Sequence, residues 1–206
     1  LYSEAEIVEL RSNVRIERIF LLDHQLNRSR FEQLSTEEKR SYLSQHHCTV
    51  SVSPGVSLAL QQADIIIYSA GTQHSSLYPT YMSCGLASAI ADNRNAFKVF
   101  ITNIGADYET PSYKASDYLK GALRYLNLSG IRSIAPKDLI DCVLVSTNPS
   151  GKDSHIKYDE ESLGDLQIPL YPNNYEDRHR NGKHDGDLLT TTILDLYDTA
   201  SIRDFK

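Results

Sequence analysis

Asp64-Ile65-Ile66-Ile67-Tyr68-Ser69-Ala70-Gly71-Thr72 is the stretch that decides the fold. Three isoleucines followed by a tyrosine predict a strand over 64–68. The run does not alternate apolar with polar, which is the pattern of a strand buried on both faces of a parallel sheet. Small residues then turn the chain. Working outward, Phe97-Lys98-Val99-Phe100-Ile101-Thr102 predicts a second strand, and residues 139–146, with Asp-Cys-Val-Leu-Val at their centre, a third. Helices are expected over 86–92 and from Ser116, as cap, to about 126. Upstream, Ser53-Pro54 opens a helix running to Gln62, with proline in its tolerated first turn. The alternating segment Val14-Arg15-Ile16-Glu17-Arg18-Ile19-Phe20-Leu21-Leu22 predicts another strand near 16–22. Downstream, a short apolar piece at 166–170 precedes a last helix over 190–197. Strands and helices that alternate in this way predict an α/β fold: a Rossmann-like, mostly parallel sheet with helices on both faces.

A chain of 206 residues predicts one α/β domain over 1–206. Residues 27–47 are polar and charged and predict an insertion projecting from the core, with Ser35-Thr36-Glu37-Glu38 starting a short exposed helix. The adjacent His46-His47 is expected to be exposed. Lys plus Arg total 21 against 27 Asp plus Glu, a net charge of −6 that argues against nucleic acid as a partner. The 3 cysteines, Cys48, Cys84 and Cys142, form no CxxC pair, so each reads as a small, partly buried side chain in a reducing compartment. No apolar run approaches the ~20 residues of a membrane span, and no basic-then-apolar leader is visible. The expected location is the cytoplasm, with no membrane partner. The chain begins at Leu1 rather than Met, so a piece of a longer protein is expected.

In open α/β sheets ligands bind beyond the carboxyl ends of the strands. After the 64–68 strand comes Ser69-Ala70-Gly71-Thr72-Gln73-His74-Ser75-Ser76. Its small residues let backbone approach an anion and its hydroxyls donate. Loops of this composition also serve simply to turn the chain. Gly71 is the position where an added side chain is expected to block a ligand or a positive φ. His74 is placed to meet a phosphate. After the 97–102 strand come Asn103, Asp107 and Glu109, oxygen donors for a metal or a hydroxylated ligand, or equally a solvated loop with helix caps. There is no Walker loop, no GxGxxG and no HExxH. His184-Asp185 reads as a helix start or as a carboxylate–imidazole pair. Arg178, Arg180 and Lys183 read as a solvated loop or a phosphate clamp.

The order of these motifs is more specific than any one of them. Residues 63–72, Ser75-Ser76-Leu77-Tyr78-Pro79, Gly85-Leu86-Ala87-Ser88-Ala89-Ile90, Lys98-Val99-Phe100-Ile101-Thr102-Asn103-Ile104, Glu109-Thr110 and Ala115-Ser116-Asp117-Tyr118-Leu119 together resemble the 2-phospho-L-lactate transferase family. That family includes gluconeogenesis-factor proteins that bind UDP-sugars. Val8-Glu9-Leu10-Arg11-Ser12-Asn13 and His184-Asp185 are similar to its flanking motifs. The family loop Gly-Pro-Gly-Ser is here Ser69-Ala70-Gly71-Thr72, and the loop holding Asp107 is one residue shorter. The family's N-terminal half, with its first strand, glycine-rich turn and acidic residues, has no match, so the resemblance implies a C-terminal portion with an incomplete sheet. It implies metal-dependent transfer of a phospholactyl-type group, with magnesium as cofactor. The alternatives are a non-catalytic UDP-sugar-binding regulator and an inactive fragment. The implied partner is a small phosphate ester, nucleotide or nucleotide sugar, with a homo-oligomer left open. The implied ligand-binding residues are Ser69, Gly71, Thr72, Ser75, Ser76, Asn103, Glu109, Thr110 and Asp117.

Overall fold

Four strands, β1 (Ile65–Tyr68), β2 (Phe97–Ile101), β3 (Cys142–Ser146) and β4 (Leu170–Asn173), form one parallel sheet in the order β1-β2-β3-β4. The computed structural model describes residues 6, 9, 13–128, 130, 133–147, 151 and 153–203. Asn148-Pro149-Ser150, whose composition predicts a turn, and most of the segment 8–13 lie outside the described residues.

The helices bounded within the described residues are α1 (Arg28–Glu32), α2 (Thr36–Gln45), α3 (Pro54–Gln62), α4 (Tyr78–Tyr81), α5 (Leu86–Asp92), α6 (Ala115–Leu128), α7 (Pro136–Leu139), α8 (Glu160–Gly164) and α9 (Gly186–Arg203). Their starts follow local chemistry. Ser35 and Glu38 make a reciprocal capping box on α2, and the Ser53 hydroxyl accepts from Val56 N–H with Pro54 in the first turn of α3. On α6 the sequence expectation shifts by two residues, since the helix starts at Ala115. The helix already contains Ser116, whose hydroxyl donates to Asp159 at 2.6 Å, and Asp117 caps it by accepting the Lys114 N–H at 2.9 Å.

Parallel strands laid down in sequential order, joined by crossovers of one hand, place every connecting helix on the same face. The packing agrees. Ile66, Tyr68, Phe100, Val143 and Val145 meet residues of α4–α8 in one large core, where Tyr118, Leu119, Leu139 and Ile140 are fully buried. The opposite face, with Val99, Ile101, Cys142 and Leu144, is covered by α9 through Leu188, Leu189 and Ile193. Helices thus lie on both faces, but unequally. β2 and β3 are buried on both sides, whereas β1 is not: Ile66 and Tyr68 point into the core while Ile67 is 49% exposed, because α9 packs over the centre of the sheet. The all-apolar run of β1 therefore does not reflect two buried faces within the described residues.

The expected strand at 16–22 does not form. Only Leu22 makes a bridge, antiparallel to His47. The segment instead straps the large core from outside the sheet: Ile19 and Leu21 pack on it, and Arg15 pairs with Asp117 at 3.1 Å and stacks on Tyr113. One side packed and one side wet produces the same alternation as an edge strand. His46 and His47 are half-buried rather than exposed, His47 Nδ1 accepting the Leu21 N–H at 3.1 Å.

Candidate functional site

Three loops meet beyond the carboxyl ends of β1 and β2 around a cleft of about 460 Å³, within the range of small-molecule sites. Ala70, Gly71 and Thr72 follow β1; residues 103–107 follow β2; Asn181, Gly182, Lys183 and His184 precede α9, and Ser154 completes the wall.

Asn103 joins the first two loops. Its Oδ1 accepts the Gly71 N–H at 3.1 Å and its Nδ2 donates to the Gly71 carbonyl at 3.0 Å. Gly71 therefore has both backbone groups occupied. Its φ is not positive, and an added Cβ would make only ordinary contact with Leu77, so the expected positive-φ role falls away. The close approach lies elsewhere: Gly182, at φ 71°, packs its backbone on Gly105, with a Cβ on either meeting the other's backbone at 3.4 Å. That contact brings the third loop over the cleft, and the positive φ is what calls for glycine at Gly182.

The third loop is braced by a histidine–carboxylate pair. His155, 4% exposed, meets Glu176 at 2.7 Å, and the same Glu176 oxygen accepts the Gly182 N–H at 2.7 Å. Asp177 accepts the His179 N–H and pairs with Arg180, which together hold its carboxyl below the usual carboxylate range. Arg180 is thus engaged within its own loop, and Lys183 is the basic residue that lines the cleft. Asp185 is the α9 cap, accepting the Leu188 N–H at 3.0 Å, and is not paired with His184.

His184 lines the cleft with its Nε2 3.0 Å from the Thr102 carbonyl. Burial pushes its pKa down, and Lys183 adds to this. A carbonyl only accepts, so Nε2 carries the proton and the neutral ring keeps a lone pair on Nδ1. Burial pushes the Asp107 carboxyl up, although its Oδ1 accepts from the Glu109 N–H (2.8 Å), the Thr110 N–H (3.0 Å) and the Thr110 hydroxyl (3.0 Å).

The other expected ligand residues divide. Gly71, Thr72 and Asn103 line the cleft. Ser69 and Ser76 are exposed, Ser76 accepting the Thr72 hydroxyl at 2.9 Å. Glu109 is 2% exposed and caps a π-helical turn (Gln73–Leu77), accepting the His74 and Ser75 N–H groups at 2.8 and 3.1 Å. Thr110 is fully buried between Asp107 and Tyr118, and Asp117 caps α6 beside Arg15. His74 is buried edge-on against Tyr78 and Tyr113, not in the cleft wall. Sequence reasoning missed the Gly105–Gly182 contact and the His155–Glu176 brace. The partners are far apart in the chain, and no spacing rule links them.

Magnesium is bound by one or two carboxylates, water and substrate phosphates. Asp107 is the carboxylate lining the cleft, so the donors fit an ion shared with a ligand's phosphates. Among the described residues no helix is long and apolar enough to cross a membrane.

The family model described as 2-phospho-L-lactate transferase CofD matches residues 7–179. A curated relative from Thermotoga maritima, described as "Putative gluconeogenesis factor", is 28% identical over 120 residues, 58% of this chain and 35% of its own length. Two crystal structures of protein BH3568 from Bacillus halodurans, one titled as a member of the UPF0052 family, superpose with TM-scores of 0.59 and 0.58 at 21% identity. They match 70% of this chain and 47% of theirs. The chain thus spans about a third of the curated relative and under half of the solved chains, and the latter share its fold.

Proposed function

The chain belongs to the 2-phospho-L-lactate transferase CofD family, and from that premise we propose that its cleft holds the phosphate-bearing part of a small phosphate ester, nucleotide or nucleotide sugar. The observation that carries the proposal is the convergence of three loops, from well-separated parts of the chain, on one cleft with a lysine, a neutral imidazole and a single carboxylate.

In the catalytic reading the reaction is transfer of a phospholactyl-type group. The Lys183 ammonium pairs with phosphate oxygens, and the Thr72 hydroxyl turns from Ser76 to donate to them. His184 Nδ1 takes the proton of the attacking hydroxyl as its oxygen bonds to phosphorus and the bond to the leaving phosphate breaks. Magnesium, held by Asp107 and the ligand's own phosphates, would neutralise charge on those oxygens. The rest of the protein would bind the acceptor that carries this hydroxyl. A second reading, a non-catalytic UDP-sugar-binding regulator, is favoured by one observation: the Asp107 oxygen Oδ1 is already satisfied by three donors and is not free for chemistry.

Calorimetry of the full-length protein with UDP-sugars, GDP and GTP, with and without magnesium, tests both. A hydrogen bond to a charged group is worth about 1.5–3 kcal/mol, so Lys183→Ala and Thr72→Ala are each expected to weaken binding about tenfold or more. Equal affinity in well-folded variants would place the site elsewhere. Phosphorus NMR of the bound mixtures separates the readings, since only the catalytic one consumes the donor.

A further inference from the structure

We propose that Asp23, His24 and His46 form a binding site for a first-row transition ion of the zinc class, at the neck of the α1–α2 hairpin and apart from the cleft. One donor atom from each of the three lies within 4.8 Å of the others. Asp23 Oδ1 contacts His24 Nδ1 directly and lies 3.4 Å from His46 Nδ1. Ligands about 2.0–2.1 Å from a tetrahedral zinc lie roughly 3.4 Å from one another, so the Asp23–His46 pair needs no movement. The Asp23–His24 pair is closer than two ligands on one ion, and a small turn of the exposed carboxylate opens it.

The surroundings prepare both rings. His24 Nε2 lies 2.6 Å from the Tyr42 hydroxyl. If Nε2 carries the proton and donates to Tyr42, the lone pair falls on Nδ1, the nitrogen that faces Asp23. A partner on the far nitrogen is the usual means of orienting a metal-bound histidine. The Tyr42 ring also packs on His46, with centroids 4.5 Å apart, and His24 meets His46 edge-on at 4.6 Å. The backbone fixes the two halves against each other: Asp23 N–H donates to the His46 carbonyl at 3.1 Å and Cys48 N–H to the Leu21 carbonyl at 2.7 Å.

Two imidazoles and one carboxylate suit zinc, nickel, cobalt or copper and disfavour magnesium, which takes oxygen ligands. The three side chains are 37–54% exposed, so water completes the coordination and the ion exchanges with solvent. Bound metal takes the place of the direct Asp23–His24 contact and clips the base of a hairpin whose helices bury no side chain.

Calorimetry of the full-length protein with zinc and, separately, with magnesium tests this. One zinc is expected to bind at this site with an affinity tighter than about 10 µM, magnesium not at all, and limited proteolysis of 28–45 is expected to slow on zinc addition. His24→Ala and His46→Ala should each abolish that step, and Tyr42→Phe, which keeps the ring, should weaken it about tenfold. All three positions are surface-accessible, and circular dichroism confirms that the variants fold. Zinc binding weaker than about 100 µM, or binding unchanged in both histidine variants, would mean that the cluster is only a hydrogen-bonded surface group.

Discussion

His184 donates to the Thr102 carbonyl from a half-buried position, and burial holds its pKa below the ordinary 6.5. His74 is shifted down for the same reason. A group whose pKa is lower in the folded protein is protonated first in the unfolded chain. The unfolded state therefore gains protons as pH falls below about 6.5, and stability is lost in that direction. Asp107 has the opposite sign. Its raised pKa means that the folded protein binds the proton more readily, so acidification relieves a penalty, in the carboxylate range below that of the imidazoles. The melting temperature is expected to be flat above about pH 7 and to fall as the pH drops below about 6.5. His184→Gln keeps a donor for Thr102 without a titrating group and should flatten part of that slope. Melts of both proteins across this range check it; an unchanged slope in the variant would remove His184 as a contributor.

Where α4 crosses α6, packing rather than propensity decides the residue. Gly121 lies in the middle of α6, where alanine would ordinarily be favoured by about 1 kcal/mol. A Cβ at Gly121 would sit 2.0 Å from the Tyr78 hydroxyl and 2.7 Å from its Cζ. Tyr78 cannot swing aside, being 1% exposed and stacked on Tyr125 with centroids 4.3 Å apart. Overpacking of this kind costs about 1–3 kcal/mol, and with a contact this short the cost outweighs the better propensity, so Gly121→Ala is expected to destabilise by up to about 2 kcal/mol. The Tyr78 hydroxyl has no hydrogen-bond partner among the described residues, so Tyr78→Phe should be nearly neutral and should recover part of the loss in the double variant. Denaturant melts of the four proteins give the coupling; additive effects would refute the contact. Elements of this kind also mark what the sequence discloses. Ile65-Ile66-Ile67-Tyr68, the Pro54 helix and the Ser35 capping box are local patterns, and all three form. The 16–22 segment misleads because packing on one side gives strand-like alternation without strand partners. In the cleft, Gly71, Thr72 and Asn103 are legible from their place after strands. Gly182 over Gly105 and His155 against Glu176 are not, because contacts between distant loops leave no periodic trace.

The sheet as a whole has two unlike edges. β4 carries Pro172, which lacks the N–H that an added strand would need, a common way to blunt an edge. β1 has no such guard: its outer side is unpaired among the described residues, and Ile67 stands 49% exposed where α9 does not reach. Leu194, on α9, is exposed to the same extent, 49%. Because all the connecting helices fall on one face, the order of the sheet does not reverse within these four strands, and the point of reversal that makes ligand crevices in such folds would lie beyond β1. The cleft loop 70–72 emerges from that same strand. The relatives are two to three times the length matched here, so we expect further strands of the whole protein to pair with β1 and to complete the cleft. The residue that reports this is Ile67. In the 206-residue chain alone, Ile67→Lys should change stability by no more than about 0.5 kcal/mol, since the side chain is already half in water, and should reduce concentration-dependent association in sedimentation velocity. In the full-length protein the same change would bury an unpaired ammonium beside new strands, and should cost about 3 kcal/mol or more. Small effects in both proteins would show that β1 remains an edge; a large cost confined to the longer one would place the junction of the two halves along β1, beside the cleft.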